Sequence, residues 1–180
     1  MREEYAVVLD YLPHGYAASR YATPIAQAIG VTNFTLLELI PKPNVELKPE
    51  EKVYIGSGER DKIERVKRRL KLNELTSLAR ETLETVLDKL ILENENKLVE
   101  RINQAGPITP RLHQLELLPG VGKKLANAII RARPFSSFED INKRTGIKDI
   151  AKIIKRRILE EMEGKEKYYF FTKPFPQRVF

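Results

Sequence analysis

Residues 115–126 read LELLPGVGKKLA, and this stretch decides the fold of the second half of the chain. Leucines precede a Pro-Gly-Val-Gly turn, and two lysines follow it directly. We expect Gly120 and Gly122 to permit positive φ and a close approach of the backbone, because glycine has no Cβ atom. Val121 stands between them and is expected to anchor the turn in the core. The stretch therefore predicts two helices joined by a glycine turn.

Helices are predicted on both sides of this turn. Thr109 and Pro110 are typical of a cap followed by proline at the first helical position, for a short helix that runs to about Leu118. The next helix is expected to begin at Lys123 and to end before Pro134, because proline cannot continue it. The apolar spacing of this helix indicates a buried stripe of Val121, Leu125 and Ile129.

A second unit of the same kind follows. Ser136 and Glu139 have the spacing of a capping box for a short helix. Gly146 interrupts the pattern, and a further helix is predicted to begin near Asp149. We expect the turn at residues 145–148 to be mainly structural, because it keeps one glycine and lacks the second. The core stripe of the last helix is Ile147, Ile150, Ile154 and Ile158.

Residues 115–126 resemble the helix-hairpin-helix motif, and the likeness is strong from Leu112 to about Arg133. The stretch from Phe138 to Lys148 and beyond resembles the degenerate partner hairpin that often follows this motif. Residues 106–164 therefore resemble a tandem helix-hairpin-helix domain.

The predicted glycine turn can hold a phosphate. The first N–H groups of a helix are free, and the helix dipole is positive there. Lys123 and Lys124 in the first helical turn are unfavourable by ~0.3–1 kcal/mol each, and a bound phosphate would reverse that sign. A plain helix–loop–helix with solvated lysines is the alternative. The predicted nucleic-acid-binding residues at the turn are Gly120, Val121, Gly122, Lys123 and Lys124.

A second basic surface is predicted on the last helix. The predicted nucleic-acid-binding residues of this surface are Lys148, Lys152 and Arg156, and Lys155 lies on the same helix face. A solvated helix face explains this pattern equally well. Contacts to phosphate carry no base information, so we expect binding to DNA or RNA without sequence specificity.

Charge and composition favour some classes of function over others. The chain has 180 residues and a net charge of +7, of which residues 106–164 carry +5 and residues 165–180 carry +3. A localised basic excess is typical of nucleic-acid-binding proteins. Cysteine is absent and only His14 and His113 are present, so we expect no metal site, no cofactor and no enzymatic activity.

The apolar patterning gives an expectation about location. No apolar run approaches the ~20 residues that a membrane helix needs, so no membrane partner is expected. The start, MREEYAVVLD, lacks the basic-then-apolar pattern of a signal peptide. A cytoplasmic location is therefore predicted.

The first part of the chain is predicted to be a small OB-like β-barrel over residues 1–58. Strands are expected at residues 5–12, 25–29, 34–40 and 53–56, and the middle two suit a hairpin. Four tyrosines could stack bases on this barrel or belong to its core, namely Tyr5, Tyr11, Tyr16 and Tyr21.

An all-helical region is predicted to follow, so that the fold class is α+β. Ile63, Val66 and Leu70 have helical spacing within the connecting helices of residues 59–105. Thr76 is expected to cap the next helix, which residues 94–96 interrupt. The tail, residues 165–180, is predicted to carry a strand at residues 167–172 that returns to the barrel.

The whole arrangement resembles an uncharacterised archaeal family of two-domain proteins predicted to bind RNA or DNA. The likeness is carried by residues 8–15, 24–30, 53–56 and 115–124. It implies an OB-like barrel and a tandem helix-hairpin-helix domain, and it implies architecture more than function, because the family has no assigned activity. RNA processing, translation and DNA repair are the settings that we expect for a nucleic-acid-binding protein of this kind.

Two other classes of function stay open. Residues 118–124 also resemble the hairpin of base-excision DNA glycosylases, in whose lyase members a catalytic lysine follows the glycines, where Lys124 stands. The aspartate which that superfamily needs is replaced here by Asn142, and the nearest acid is Asp140. The third class is a protein-interaction module of a ribosomal or repair complex.

Overall fold

The structure, a computed structural model, describes residues 2–20 and 22–176. Its strands are β1 (Tyr5–Leu12), β2 (Ile25–Gly30), β3 (Leu36–Pro41), β4 (Lys52–Tyr54), β5 (Ile63–Arg69), β6 (Pro107–Thr109) and β7 (Leu112–His113). Its helices are α1 (Ser77–Glu93), α2 (Glu95–Asn103), α3 (Lys123–Ala132), α4 (Phe138–Thr145) and α5 (Ile150–Met162). Short 3-10 helices lie at Leu72–Glu74 and Gln114–Leu117.

The first five strands form one antiparallel sheet in the order β4-β1-β2-β3-β5. The predicted hairpin is confirmed as β2 and β3, in which Ala28 lies opposite Leu37. The sheet curls into a half-barrel, and β4 and β5 form no ladder with each other within the described residues. The α+β class is therefore confirmed, with an open, curled sheet in place of the predicted OB-like barrel.

Strand β5 lies where a helix was predicted, and that prediction is wrong. Its pairing with β3 shifts register twice, and Pro41 lies opposite Ile63 whereas Leu39 lies opposite Val66. The shift between Ile40 and Pro41 places an extra residue in β5 between these two pairs, so Ile63 and Val66 pack against the same apolar cluster. A β-bulge thus reproduces the three-residue spacing that suggests a helix.

Helix α1 begins and ends where the sequence predicts. Thr76 Oγ1 accepts a hydrogen bond from the N–H of Ala79 at 3.1 Å. At the other end, the Asn94 side chain donates to the carbonyls of Leu90 at 2.7 Å and Val31 at 3.1 Å. This second bond ties the break between α1 and α2 to the turn after β2.

One apolar core joins the sheet to the helices. It contains Leu9, Ile29 and Leu36 of the sheet together with the buried faces of α1, α3 and α5. A full burial of each such side chain contributes about 1.5–3 kcal/mol. A second, smaller cluster lies on the other face of the sheet and includes Val8, Leu39 and Ile63. The predicted stripe of α5 is buried at Ile147, Ile150, Ile154 and Ile158.

Residues 167–172 of the tail are held by a buried carboxylate and form no strand, so their predicted return to the sheet as a strand is wrong. Glu161 is fully buried. It accepts backbone hydrogen bonds from Phe170 at 2.8 Å, Phe171 at 3.0 Å and Thr172 at 2.9 Å. Arg157 Nε donates to the same carboxylate at 2.8 Å. A side chain therefore supplies the acceptors that a neighbouring strand would supply.

None of the helices in the described part of the chain is long and apolar enough to cross a membrane. The cytoplasmic location stays a prediction, as do the predicted domain boundaries.

Glu161→Ala is expected to lower the free energy of unfolding by about 3–5 kcal/mol, because Arg157 then keeps a buried charge without its closest carboxylate. Urea unfolding followed by circular dichroism measures the loss. The matched control is Glu163→Ala, since Glu163 is exposed on the same helix end, and it should change stability by less than about 0.5 kcal/mol. Equal losses in the two variants would contradict this account of the tail.

Candidate nucleic-acid interface

The hairpin before the glycine turn replaces a predicted helix. Thr109 and Pro110 lie at the tip of the β6-β7 hairpin, where Thr109 Oγ1 accepts a hydrogen bond from the N–H of Arg111 at 3.2 Å. The threonine side chain therefore closes a turn instead of capping a helix. Only the 3-10 helix Gln114–Leu117 precedes the glycine turn, so the helix predicted from Thr109 to Leu118 is wrong.

The glycine turn itself has a defined geometry. The N–H of Val121 donates to the carbonyl of Leu118 at 3.0 Å, and both side chains are buried. Gly120 has φ +78°, so Pro119 and Gly120 are the central residues of a type II turn. Val121 is thus anchored in the core as the sequence predicts.

Gly122 differs from the prediction. It is the N-cap of α3 with φ −93° and ψ −170°, so the expected positive φ is wrong at this position. A Cβ atom built on Gly122 meets nothing within 4 Å. The small residue here leaves open space in front of the first turn of α3, and no side chain within residues 2–20 and 22–176 caps that turn.

The two lysines after the turn have different partners. The ammonium of Lys123 lies 3.2 Å from Glu116 Oε1 and donates to the carbonyl of Arg111. Glu116 also accepts from the N–H of His113 at 2.7 Å, and this bond lowers the pKa of the Glu116 carboxyl, with Lys123 adding to the effect. Lys124 is exposed and makes no ion pair within the described residues. Lys123 therefore closes the turn, while Lys124 is available to a ligand.

The second hairpin is closed by its own side chains. Helix α4 ends at Gly146, whose φ is +76°, as expected of a glycine after a helix. Asp149 caps α5 through the N–H of Lys152 at 3.4 Å, and Asn142 Oδ1 accepts from the N–H of Ile150 at 2.8 Å. The N-terminus of α5 is therefore occupied, in contrast to that of α3.

The N-cap predicted for α4 at Ser136 is displaced by one residue. Ser137, not Ser136, is the N-cap, and its Oγ accepts from the N–H of Asp140 at 3.0 Å. The Asp140 carboxylate accepts from the N–H of Ser136 at 3.0 Å and lies 3.2 Å from Arg144. The acid nearest to the position of the glycosylase aspartate is thus engaged at the start of α4.

The second basic surface contains three residues of the four predicted. Lys148 and Lys152 are exposed, and Arg156 has a side chain that is 75% exposed. Lys155 lies 2.8 Å from Glu84 and 2.9 Å from Asp88, so it joins α5 to α1. It is a structural cation and not part of the open surface.

The tyrosines of the sheet have separate environments. The Tyr16 hydroxyl donates to Glu38 and accepts from Gln27 at 3.1 Å, and burial together with the Glu38 contact raises the pKa of Tyr16 to about 12. Tyr11 donates to the carbonyl of Val45 at 3.4 Å. Tyr5 is 40% exposed and lies edge-on to Tyr54. Tyr21 lies outside the described residues, and base stacking stays a prediction.

A cavity between the two edges of the half-barrel was not predicted from the sequence. It has a volume of about 530 Å³ and is lined by Ile55, just after β4, and by Val66 and Arg69 of β5. Lys173 of the tail lies at the same cavity. No group of three His, Asp or Glu side chains that could hold a metal ion occurs in residues 2–20 and 22–176.

Comparisons with known proteins assign the chain to a protein family. The fold defines an α+β protein with a curled five-stranded antiparallel sheet joined to a helical region. The chain belongs to the family described as protein of unknown function DUF655, whose model matches residues 2–173. The predicted membership of an uncharacterised family with archaeal members is thereby confirmed.

Two relatives show how far the similarity extends. The uncharacterised protein MJ0038 of Methanocaldococcus jannaschii is 45% identical over 176 residues, which are 95% of this chain and 80% of that protein. The crystal structure of Af1531 from Archaeoglobus fulgidus, a DUF655 protein, is similar with a TM-score of 0.82 and 43% identity. The match covers 95% of this chain and 100% of that chain.

The two glycines of the turn are expected to respond differently to substitution. Gly120→Ala should lower the free energy of unfolding by about 1–2 kcal/mol, because an L side chain is strained at φ +78°. Gly122→Ser should leave stability unchanged or raise it by a few tenths of a kcal/mol, since serine is a favourable N-cap. Thermal and urea unfolding measure both. Equal destabilisation by the two variants would contradict the geometry of the turn.

Proposed function

We propose that the protein binds nucleic acid without sequence specificity and holds a backbone phosphate at the start of α3. One observation carries the proposal: α3 begins at a glycine that faces open space, with no capping side chain and two lysines in its first turn. An anion at this place would satisfy free N–H groups, interact with the positive end of the helix dipole and offset the charge of the lysines.

Three of the other four helices in the described part of the chain begin with a side-chain cap. Side chains cap α1, α4 and α5, namely those of Thr76, Ser137 and Asp149. Among the described residues, α2, which follows α1 almost directly, and α3 begin without a side-chain cap, and only at α3 is the N-cap a glycine that faces open space. In this proposal residues 106–164 are a tandem helix-hairpin-helix region, in which the first hairpin binds phosphate and the second supports it.

Further phosphate contacts are assigned to the second basic surface, Lys148, Lys152 and Arg156. These side chains are exposed, and the N-terminus beneath them is already capped, so they would act as charges and not through backbone N–H groups. Backbone contacts of this kind serve DNA and RNA alike. RNA processing, translation and DNA repair are the settings in which such binding fits.

The alternatives predict different results. A base-excision glycosylase with lyase activity would use Lys124 as its nucleophile, and borohydride would then trap a covalent adduct with DNA at that residue. In the present proposal Lys124 is a phosphate contact, so no adduct forms. A protein-interaction module would bind its partner with little dependence on salt, whereas nucleic-acid binding weakens steeply as salt rises.

Replacing both turn lysines with alanine should flatten the salt dependence of duplex binding. If each lysine neutralises one phosphate, the slope of log K against log salt should fall by about 1.8 for DNA. Because Lys123 is engaged by Glu116, we expect Lys124→Ala to account for the larger share. Fluorescence titration of several unrelated duplexes at several salt concentrations measures the slopes. Lys89→Ala, at an exposed lysine of α1, is the matched control.

The glycine variant separates binding from folding. Gly122→Ser should weaken binding to every duplex, because the serine hydroxyl takes the N–H groups that phosphate would use, while the protein stays at least as stable. A folded Gly122→Ser protein that binds all duplexes as tightly as the parent would show that the hairpin is structural. The surface around Lys152 and Arg156 would then be the leading candidate.

A further inference from the structure

The cavity between the open edges of the half-barrel combines an apolar floor with cations that form no ion pair within the described part of the chain. Its floor is formed by Leu37, Ile55 and Val66, of which the first two are 8% and 5% exposed. Its volume of about 530 Å³ lies within the range of ~300–1,000 Å³ found for small-molecule sites. In a closed barrel, β4 and β5 would pair with each other at this place. Because these two strands form no ladder within the described residues, the space between them stays open.

Arg69 is the central cation of this cavity. Its guanidinium lies 3.7 Å from the ring centroid of Phe175, and it donates to the carbonyl of Pro174 at 3.3 Å. Its Nε is buried and has no hydrogen-bond partner among the residues that the structure describes. A buried donor without an acceptor is costly, and such groups in native proteins are usually matched by water or a ligand. Burial also lowers the pKa of Arg69, a shift that an anion beside it would oppose.

Other charges around the cavity leave it electropositive. Arg60 and Lys173 line it, and neither forms an ion pair within residues 2–20 and 22–176. The acids at the same cavity are Glu3 and Glu4. Glu3 is engaged, because its carboxylate accepts from the N–H groups of Thr32 at 2.9 Å and Asn33 at 2.6 Å. Arg60 and Lys173 thus line the same cavity as the apolar side chains of its floor.

We propose that this cavity binds one nucleotide unit, with its phosphate at Arg69 and Lys173 and its nucleoside against the apolar floor. The inference rests on the proposed function and deepens it, since it adds a site for a single nucleotide to one for duplex backbone. A guanidinium presents a fork of donors that matches phosphate oxygens, and a nucleoside offers planar apolar faces that suit Leu37 and Val66.

Adenosine 5′-monophosphate tests the site when titrated into the full chain and followed by backbone amide NMR. We expect shifts of the amides of Ile55, Val66 and Arg69. Adenosine and inorganic phosphate should each bind at least about tenfold more weakly, because each loses one half of the interaction. A titration with hexanoate tests whether any organic anion can bind in the cavity. Equal binding of phosphate or hexanoate and the nucleotide would overturn the assignment.

The variants locate the binding. Arg69→Gln and Lys173→Gln should each weaken the nucleotide by about tenfold or more, as expected for a lost charge-assisted hydrogen bond. Lys173 is exposed, so its variant reports on binding even where Arg69→Gln fails to fold. Arg65→Gln removes the same charge from an exposed position of β5 and should leave binding unchanged. A loss of binding as large in Arg65→Gln as in Lys173→Gln would overturn the proposal.

The two proposals fail separately. No nucleotide binding by a parent protein that binds duplexes would overturn the cavity site alone. No duplex binding by the parent would overturn the proposed function, whatever the nucleotide does. Gly122→Ser should bind the nucleotide as the parent does, because its substitution lies at the start of α3 and not at the cavity.

Discussion

Helix α1 is buried against the sheet and against α5, and the rest of the structure depends on this packing. It contacts β1, β2 and α5, and the apolar core that it enters continues to the glycine turn through Leu118 and Val121. Lys155 adds ion pairs from α5 to Glu84 and Asp88 of α1. The turn before α3 is therefore supported by a core shared with the sheet, so a phosphate held there would meet a preformed site. The six buried residues of α1 are Ala79, Leu83, Val86, Leu87, Leu90 and Ile91.

The sequence predicts elements well where local signals and packing agree. Thr76, Asn94 and Asp149 each mark a helix boundary that the structure contains, because these side chains bind nearby backbone groups. The sequence-based prediction is wrong where the structure of a segment depends on contacts with residues outside that segment. The bulges of β5 depend on its pairing with β3, and the tail depends on Glu161, so neither is visible in a short window of sequence.

The candidate site also has features that the sequence predicts and features that it does not. The glycines, the buried valine and the two lysines of the turn follow from residues 115–126, since all belong to one local motif. The unequal partners of Lys123 and Lys124 do not follow from it, because Glu116 reaches Lys123 only once the 3-10 helix is formed. The spacing of residues could not predict the cavity, because its lining comes from residues before β1, the turn after β2, β3, β5, the segment after β4 and the tail.

The two open edges of the sheet have a consequence for association between copies. An exposed strand edge invites pairing with another chain, and proteins oppose this with short edge strands, bulges and charged side chains. Here β4 has only three residues, and β5 is irregular in register and presents exposed Arg65, Lys67 and Arg68. Like charges on the edges of two copies repel each other. The cations of β5 thus oppose edge-to-edge aggregation of the half-barrel, a role that requires no contact with nucleic acid.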